Sequence, residues 1–402
     1  MLTDLEPGEA LKMVLEAGQA LSSELVALGQ AQGRVLASDL PALVDHPSLD
    51  VSAIDGYALR QADVLGASPE SPCRLPVVGE IPAGRPYSGS LLPGTALAIY
   101  TGGVFPEGAD GLIRVEETKR DGDYVDVLED ASRRDLRLKG EDFRVGERLL
   151  TAGTYLDSRA LALAAAMGYA ELPVVRRPRV AVVITGDELT PPGQALPPGA
   201  VYDSNAPMLV ALVKSVGAEP HVFHLADHPN ALEAVAGDFD LWISSGGVSM
   251  GARDYVRTYL QAHGEPVFFR VRMRPGGPLF FARWQGRPFL ALPGNPVSVY
   301  TTFLLFARPL LFKILSFAHR NRDLVGRTES DLPGSANKWT YLRGEMYYRG
   351  EHLYFSPSKS QSSGNLVTLA QANALAVVPP RGLEAGQKVR LIPLPEAATF
   401  AF

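Results

Sequence analysis

A strand, a tight loop and the start of a helix follow one another between residues 239 and 255, and this order constrains the fold more than any other stretch. Apolar and aromatic side chains dominate Phe239–Ile243, a serine- and glycine-rich run follows, and a helical pattern begins near Asp254. Glycine lacks a Cβ, so such a loop permits positive φ angles and close approach of a ligand to backbone N–H groups. A loop of this kind before a helix suits a phosphate or another anion, although a plain glycine-rich turn explains the loop alone equally well.

Three further runs have the same construction. The strand-like runs Val180–Ile184, His221–Leu225 and Pro288–Leu292 each end in a polar, acidic or glycine-bearing loop. Helical apolar spacing is found in Ala206–Val216 and Pro229–Ala236, which lie between these strands. Strands that alternate with helices predict an α/β fold with a mostly parallel sheet. Ligands bind outside the carboxyl ends of the strands in such sheets, so the four loops predict a ligand site at one edge.

Composition excludes several classes of protein. The chain has 402 residues and a formal net charge of −6, a length that suits roughly two to four domains. No stretch combines dense Lys and Arg with aromatic residues, so we expect no nucleic-acid partner. Cys73 is the only cysteine, which excludes an internal disulfide and fits a reducing compartment.

The sequence also predicts a cytoplasmic protein that does not enter a membrane. Residues 1–6 lack the apolar core of a signal peptide. The most membrane-like run, Thr301–Phe317, is interrupted by Arg308, Pro309 and Lys313. We therefore interpret it as a buried helix that ends or kinks near the proline.

Changes of pattern along the chain predict a multidomain α/β plus β protein with four domains. Residues 1–46 and 131–172 form a discontinuous N-terminal domain of helical and mixed character, in which an amphipathic helix, Glu9–Leu28, packs with the segment that contains the helix Ser158–Met167. Residues 47–130 alternate short β-like runs with Pro- and Gly-rich turns and predict a small β-rich domain. Residues 173–322 form the α/β domain, and residues 323–402 predict a C-terminal β-barrel.

Five motifs carry a resemblance to a known family. In chain order they are Ser-Ala-Ile-Asp-Gly-Tyr-Ala (52–58), Thr-Gly-Gly followed by Pro-Glu-Gly-Ala-Asp (101–110), Thr-Gly-Asp-Glu-Leu (185–189), Ser-Ser-Gly-Gly-Val-Ser-Met-Gly followed by Asp-Tyr (244–255), and Pro-Gly-Asn-Pro-Val-Ser (293–298). Together they run through essentially the whole chain and resemble the molybdopterin molybdenumtransferase family, to which the E domain of gephyrin is related.

The resemblance implies an activity, its ligands and its partners. It implies binding of adenylylated molybdopterin, molybdate and a divalent cation such as Mg²⁺, cleavage of the pyrophosphate link, and release of AMP and molybdenum cofactor. It further implies an elongated homodimer that is joined through the discontinuous N-terminal domain. The cleft would lie between the α/β domain of one subunit and the small β domain of the other, so that Asp55 and Thr101 face it from the partner. The upstream adenylylating enzyme and downstream molybdoenzymes or cofactor carriers are further candidate partners.

Two loops offer the N–H groups that a pyrophosphate needs. The candidate binding residues are Ser245, Gly246, Gly247, Ser249 and Gly251 in the first loop and Pro293, Gly294, Asn295, Pro296 and Ser298 in the second. Asn295 is a candidate N-cap and Pro296 a candidate first residue of the helix Val297–Ala307.

Acidic residues at the same edge suit a hard cation. Asp227 and Asp254 are candidate Mg²⁺ ligands, either directly or through water. Glu188 has three open roles, because it could position water, position a molybdate oxygen or bind the pterin amines. The histidines at 221, 224 and 228 look like a metal cluster, but residues three apart on a strand point to opposite faces. We therefore expect no zinc site there.

One segment departs from the family pattern. Residues 271–278 resemble a segment that often reads Lys-Pro-Gly-Lys-Pro. Arg274 keeps the first cation and can clamp an oxyanion with two N–H groups, whereas Gly277 removes the second cation. Either Arg272 or Arg270 compensates, or the affinity for the oxyanion is lower.

Two residues of the C-terminal domain complete the set of candidates. Arg343 and Ser363 lie in Tyr-Leu-Arg-Gly (341–344) and Gln-Ser-Ser-Gly (361–364). Both segments resemble those that carry the family's molybdate-side residues, and the resemblance therefore implies that the two side chains bind substrate.

Two other functions remain as alternatives. A nucleotidyltransferase that adenylylates molybdopterin is built on a similar α/β domain, but it usually lacks the small β-rich and β-barrel regions. A non-catalytic molybdopterin-binding scaffold has no evident need for the acids Asp55, Glu188, Asp227 and Asp254 around an anionic ligand.

Overall fold

The computed structural model describes residues 1–248, 254–317 and 323–395. The strands of the first 175 residues are β1 (Leu2–Leu5), β2 (Ser23–Ala27), β3 (Leu40–Pro41), β4 (Val51–Ser52), β5 (Gly56–Leu59), β6 (Cys73–Ile81), β7 (Ala96–Ile99), β8 (Gly111–Arg114), β9 (Thr118–Asp121), β10 (Tyr124–Val127), β11 (Leu136–Arg137), β12 (Arg148–Leu150) and β13 (Glu171–Val175).

The remaining strands are β14 (Arg179–Thr185), β15 (Leu189–Thr190), β16 (Val201–Tyr202), β17 (Glu219–Leu225), β18 (Leu241–Ser245), β19 (Glu265–Val271), β20 (Met273–Arg274), β21 (Phe280–Trp284), β22 (Arg287–Leu292), β23 (Leu324–Thr328), β24 (Trp339–Arg349), β25 (His352–Pro357), β26 (Ala374–Val378) and β27 (Lys388–Pro393). The α-helices are α1 (Pro7–Glu16), α2 (Ser158–Ala166), α3 (Asn205–Ser215), α4 (Tyr255–His263), α5 (Pro296–Thr302), α6 (Arg308–Ile314) and α7 (Leu366–Gln371).

A seven-stranded sheet with the order β1-β19-β21-β22-β18-β14-β17 forms the α/β layer. The neighbours β22, β18, β14 and β17 are parallel to one another, and β21 is antiparallel to both of its neighbours. Strand β14 is buried along nearly its whole length, as expected for a parallel strand covered on both faces. The predicted α/β fold with a mostly parallel sheet is therefore confirmed.

Side chains of β14 alternate between two apolar cores, because successive residues of a strand point to opposite faces. Val180, Val182 and Ile184 contribute to a core that includes side chains of α1, α3, α5 and α6. Ala181 and Val183 contribute to the opposite core, which is rich in aromatic residues and is covered by α4. The sheet is thus held rigidly from both sides, and its loops project from a fixed frame.

The N-terminal helix is shorter than the sequence predicts and packs elsewhere. The predicted helix Glu9–Leu28 is wrong in its second half, because α1 ends at Glu16 and the antiparallel pairing of β2 with β13 takes over the later residues. At the end of α1, a Cβ on Gly18 would lie 2.9 Å from Leu310 Cδ1. The helix therefore packs against α6 and the α/β core rather than against the segment that contains α2. The proposed domain boundaries remain a prediction.

Two other helical segments differ from expectation. Residues 229–236 contain only a 3₁₀ turn, Ala231–Ala234, where a helix was predicted. The long apolar helix is α-helical over α5, π-helical over Phe303–Ala307 and α-helical again over α6, with Pro309 in the first turn of α6. Proline has no N–H to donate to the preceding turn, and the wider π turn occurs immediately before it.

The segment Pro296–Ile314 has the length and apolar composition to cross a membrane, with a mean hydropathy of 1.4, but 72% of the apolar 18-residue stretch within it is buried inside the protein. This burial is typical of a core helix, as the interruption by Arg308, Pro309 and Lys313 suggested.

The described residues also contain two six-stranded sheets and four two-stranded sheets, β4–β11, β3–β12, β2–β13 and β15–β16. Residues 56–127 form a six-stranded sheet with the order β8-β5-β7-β6-β10-β9. The strands β24, β25, β23, β27 and β26 close on themselves through the pairing of β24 with β26, so the predicted C-terminal β-barrel is confirmed. The short strand β20, which belongs to the α/β region of the chain, pairs with β24 of the barrel. This pairing brings Arg274 to the junction between the α/β layer and the barrel.

Candidate active site

The loops that were predicted to share one edge of the sheet do share it. Ile184 lies opposite Ser245, Ser245 lies opposite Leu292, and Thr185 lies opposite Leu225 in adjacent parallel strands. The chain leaves all four strands on the same side, where it enters the loops with the candidate residues. Ser249 and Gly251 lie outside the described residues.

The start of the glycine-rich loop requires glycine. Gly246 and Gly247 have φ angles of +95° and +68°, which L-residues with a side chain rarely adopt. A Cβ on Gly246 would lie 2.9 Å from the carbonyl oxygen of Thr185. The loop is therefore folded tightly against the end of β14, with its backbone at the edge of the sheet. This is the geometry that close approach of an anionic ligand to N–H groups needs.

A buried asparagine joins the two candidate phosphate loops. The Asn205 side chain donates hydrogen bonds from Nδ2 to Ser245 Oγ (2.9 Å) and to the Gly294 carbonyl (2.7 Å). Asp203, which is also buried, accepts N–H bonds from Asn205 and Ala206 and contacts His224 Nε2 at 3.0 Å. Sequence reasoning missed Asp203 and Asn205. The signal that could have found Asp203 is an acid two residues before a helix, where its carboxylate accepts from the free N–H groups of the first turn. Asn205 is the first residue of α3 and has no comparable local signal, because its side chain bonds the distant Ser245 and Gly294.

The acids of the edge lie on neighbouring loops. Asp227 and Asp187 bond each other's backbone, with Asp227 N–H donating to Asp187 Oδ1 (3.1 Å) and Asp187 N–H to Asp227 Oδ2 (3.5 Å). Asp227 lines a small pocket together with Thr185, Gly247 and Tyr255. Glu188 is exposed, whereas Asp254 is buried at the start of α4.

Histidine, cysteine and carboxylate side chains do not cluster in groups of three or more that could hold a metal ion within residues 1–248, 254–317 and 323–395. A site made of one or two carboxylates with substrate oxygens is still compatible with the arrangement of the acids, because Mg²⁺ is commonly held in that way.

Asp55 and Thr101 form a pair in the small β sheet. Thr101 donates to Asp55 Oδ1 from its backbone N–H (2.8 Å) and from its hydroxyl (2.9 Å). These two hydrogen bonds, the backbone one first, hold the pKa of Asp55 below its ordinary value because they stabilise the carboxylate. Residues 47–130 line neither the pocket at Asp227 nor the pocket at Arg274. A single chain therefore does not bring Asp55 and Thr101 to the pockets that its own α/β layer lines.

A second, larger pocket lies where the α/β layer meets the barrel. Its volume is about 610 Å³, and it is lined by candidate residues of both regions, namely Arg274, Pro293, Asn295, Ser298 and Ser363. Asn295 and Pro296 stand at the predicted N-cap and first helical positions of α5, but the Asn295 side chain does not cap the helix. Asn295 Nδ2 instead donates to Ser363 Oγ (3.0 Å), and Val297 N–H donates to the Ser363 carbonyl (3.0 Å). These bonds hold the barrel loop against the start of α5.

Arg343 lies behind this pocket rather than on its wall. Its side chain is buried and donates to the carbonyls of Ser360 (2.9 Å) and Ser362 (2.7 Å) and to Thr368 Oγ1 (2.8 Å). Burial lowers the pKa of the guanidinium. The arginine thus fixes the loop that carries Ser363, and its positive charge is met by neutral acceptors.

The fold and the site together define a class of protein, a multidomain α/β protein with glycine-rich loops at the sheet edge and a basic pocket against a β-barrel. Three family models match the chain: the MoeA N-terminal region (domain I and II) over residues 5–168, a probable molybdopterin binding domain over 181–313, and the MoeA C-terminal region (domain IV) over 325–394.

Similar proteins cover nearly the whole chain. Molybdopterin molybdenumtransferase of a Nostoc species is 40% identical over 389 residues, with 93% of this chain and 89% of the relative covered. Molybdopterin molybdenumtransferase 2 of Mycobacterium tuberculosis is 38% identical, with 92% of this chain and 94% of the relative covered. The crystal structure of the molybdopterin biosynthesis moeA protein from Pyrococcus horikoshii superposes with a TM-score of 0.82 at 29% identity and covers 97% of this chain and all of that one. The chain belongs to the molybdopterin molybdenumtransferase family, as the motifs implied.

Proposed function

We propose that this protein inserts molybdate into adenylylated molybdopterin, with Mg²⁺-dependent cleavage of the pyrophosphate link and release of AMP. The observation that carries the proposal is the adjacency of two sites on one α/β frame. The glycine-rich loop at the end of β18 suits a pyrophosphate, and the basic pocket beside α5 suits a small oxyanion. The direct bonds from Asn205 to both loops support a single composite site.

The two loops would bind the pyrophosphate through backbone N–H groups and hydroxyls. Ser245, Gly246 and Gly247 contribute from the first loop, together with Ser249 and Gly251, which are outside the described residues. Pro293, Gly294, Asn295 and Pro296 shape the second loop. Molybdate would bind in the pocket that is lined by Ser298, Arg274 and Ser363 before it is transferred to the pterin.

The acidic residues at the edge of the α/β sheet would bind the cation and orient the reacting groups. Asp227 and Asp254 are the residues that would hold Mg²⁺, and the pairing of Asp227 with Asp187 keeps the first of them in a defined loop. Such an ion neutralises phosphoryl oxygens when it is bound. Glu188 is exposed, directly follows the Asp187 that contacts Asp227, and would orient water, a molybdate oxygen or the pterin amines.

Asp55 and Thr101 would reach the same site from a second subunit, so that the active form is a homodimer. The absence of residues 47–130 from both pocket walls of the described chain supports this arrangement. Large apolar side chains also remain exposed in the segments that were assigned to dimerisation, namely Leu25, Leu43, Val44, Leu138, Val145 and Tyr155. Burial of such side chains favours association of a second copy.

We also propose that the reaction takes place in the cytoplasm. A single unpaired cysteine, Cys73, is compatible with the cytoplasm. The upstream adenylylating enzyme and downstream molybdoenzymes or cofactor carriers would be the proteins that exchange substrate and product with this one.

Turnover of the purified protein tests the proposal. Incubation with adenylylated molybdopterin, molybdate and Mg²⁺ should release AMP and molybdenum-loaded product, with dependence on both added ions. Addition of AMP to molybdopterin would instead indicate the adenylyltransferase alternative, and tight binding without turnover would indicate a scaffold. The named relatives that cover nearly the whole chain favour neither alternative.

A further inference from the structure

The basic pocket lacks the second cation of the family segment, and the two arginines that could replace it are engaged. Gly277 lines the pocket without a side chain. Arg272 is bound to Glu6, with 2.8 Å between Nη2 and Oε1, and it is not one of the pocket-lining residues. Arg270 lines the pocket, but its Nε lies 3.7 Å from the Asp4 carboxylate on the same wall. Neither arginine is therefore an uncommitted charge for an incoming oxyanion.

Lys338 brings a different cation to the same pocket from the barrel side. Its backbone is fixed on both sides, since Lys338 N–H donates to the Ser335 carbonyl and Trp339 N–H donates to the Arg272 carbonyl, each at 3.0 Å. The next residue, Trp339, pairs with Met273 of β20. The backbone of Lys338 therefore lies next to the segment 271–278, in which Gly277 stands in place of the second cation of the family pattern.

Lys338 and Arg274 are available for a ligand. In the part of the chain that the structure describes, neither forms an ion pair with a carboxylate, and both line the pocket. Behind the wall, the buried guanidinium of Arg343 is bonded to neutral oxygens only, so its charge adds to theirs. Among the described residues that line the pocket, three side chains are cationic, Arg270, Arg274 and Lys338, and one is a carboxylate, that of Asp4. This excess favours a small, doubly charged oxyanion.

We propose that Lys338 supplies the cation that Gly277 omits, and that Lys338 and Arg274 together bind molybdate beside the β20–β24 pair, with Arg274 in β20 and Lys338 directly before β24. The proposal deepens the proposed function and rests on it for the identity of the oxyanion. A lysine ammonium is a compact point charge on a flexible stem, so it can reach an anion from a backbone position different from that of the missing side chain.

Molybdate binding and turnover in matched variants test this role. We compare Lys338→Gln and Lys338→Arg with Lys388→Gln, which removes an exposed lysine from β27 of the same barrel. Isothermal titration calorimetry with molybdate alone reports binding, and AMP release at varied molybdate reports KM and kcat. Lys338→Gln should raise the molybdate Kd and KM by about tenfold or more, the loss expected for one charged hydrogen bond. The kcat at saturating molybdate should change little, Lys338→Arg should retain most of the affinity, and Lys388→Gln should have no effect.

The other outcomes separate this inference from the proposed reaction. An unchanged molybdate Kd in Lys338→Gln, an equal loss in Lys388→Gln, or no molybdate binding by the wild-type protein would overturn the role of Lys338. Molybdate binding that depends on Lys338 in a protein that releases no AMP would refute the proposed reaction instead. That result would leave the assignment of the lysine standing.

Discussion

The two halves of the candidate site are built in different ways. The phosphate edge is formed by loops that each follow directly from a parallel strand, so its position is fixed by the sheet register. The basic pocket is assembled from the N-terminus, the segment at 270–278, the start of α5, and the barrel residues Lys338 and 361–363. The edge therefore depends on local geometry, whereas the pocket depends on docking of the barrel against the α/β layer. Substitutions in the two halves should accordingly separate effects on the pterin substrate from effects on molybdate.

The largest expected effect falls on the phosphate edge. Asp227→Ala should lower turnover by roughly 10²–10⁴-fold and weaken its Mg²⁺ dependence, as expected for loss of a metal ligand or positioned carboxylate. The Tm should change little because Asp227 lies on a loop. Asp254→Ala should lower turnover similarly, but it removes a buried side chain and needs a thermal control. Asp123→Ala, in the exposed turn between β9 and β10, is the matched control. Wild-type turnover in Asp227→Ala would remove that residue from the site.

Mixed dimers test whether a third region, the small β sheet of the partner, completes the edge. Homodimers of Asp55→Ala and of Glu188→Ala should each be nearly inactive. A heterodimer of the two, purified through different tags, should contain one doubly damaged cleft and one intact cleft, and should recover about half of the wild-type activity because of two-fold symmetry. Heterodimers as inactive as their parents, or full activity in a strictly monomeric preparation, would contradict a shared cleft.

Asn205 offers the sharpest test of the link between the two loops. Asn205→Ala removes hydrogen bonds to Ser245 and Gly294, and loss of such buried bonds costs about 1–3 kcal/mol. We expect turnover to fall by roughly tenfold, with a larger rise in the KM for adenylylated molybdopterin than in that for molybdate. Steady-state kinetics and urea unfolding measure the two effects. Equal rises in both KM values would indicate that the edge and the pocket are not separable.

The contrast between the two regions also explains what the sequence could predict. The strands β14, β17, β18 and β22 were predictable because apolar runs and glycine loops are local signals, and their loops had to meet at one edge. Lys338 was not predictable, since it lies 61 residues beyond Gly277 and reaches the pocket only through the pairing of β20 with β24. The prediction of a helix over the second half of Glu9–Leu28 was wrong for the same reason, because β2 is fixed by pairing with the distant β13. Long-range pairing leaves no periodic trace in a short window.

Gly277→Lys tests the pocket by adding back the family cation. We expect a tighter molybdate Kd, but only by a few-fold, since Lys338 already supplies charge and the new Cβ would lie 3.0 Å from the Met273 carbonyl. Calorimetry with molybdate measures the change, and Gly277→Ala controls for the steric cost. In a Lys338→Gln background, Gly277→Lys should tighten molybdate binding by a larger factor. An unchanged affinity in both backgrounds would mean that charge at position 277 does not reach the ligand.

The smallest expected effect concerns the Asp55–Thr101 pair, which lies outside both pocket walls of one chain. Thr101→Val removes the hydroxyl donor and keeps the backbone donor, so the pKa of Asp55 should rise toward its ordinary value, while Thr101→Ser should leave it low. The sign follows from linkage: a carboxyl with a depressed folded-state pKa favours the folded state above its unfolded pKa, near 3.8, and loses that contribution as the pH falls through the folded value. NMR titration of the carboxyl carbon in the intact protein measures the shift. Because the carboxyl is ionised in both variants near pH 7, Thr101→Val should change turnover there through lost contacts alone, and any loss should persist unchanged as the pH is raised. A loss that disappears at higher pH would instead assign Thr101 the task of keeping Asp55 charged.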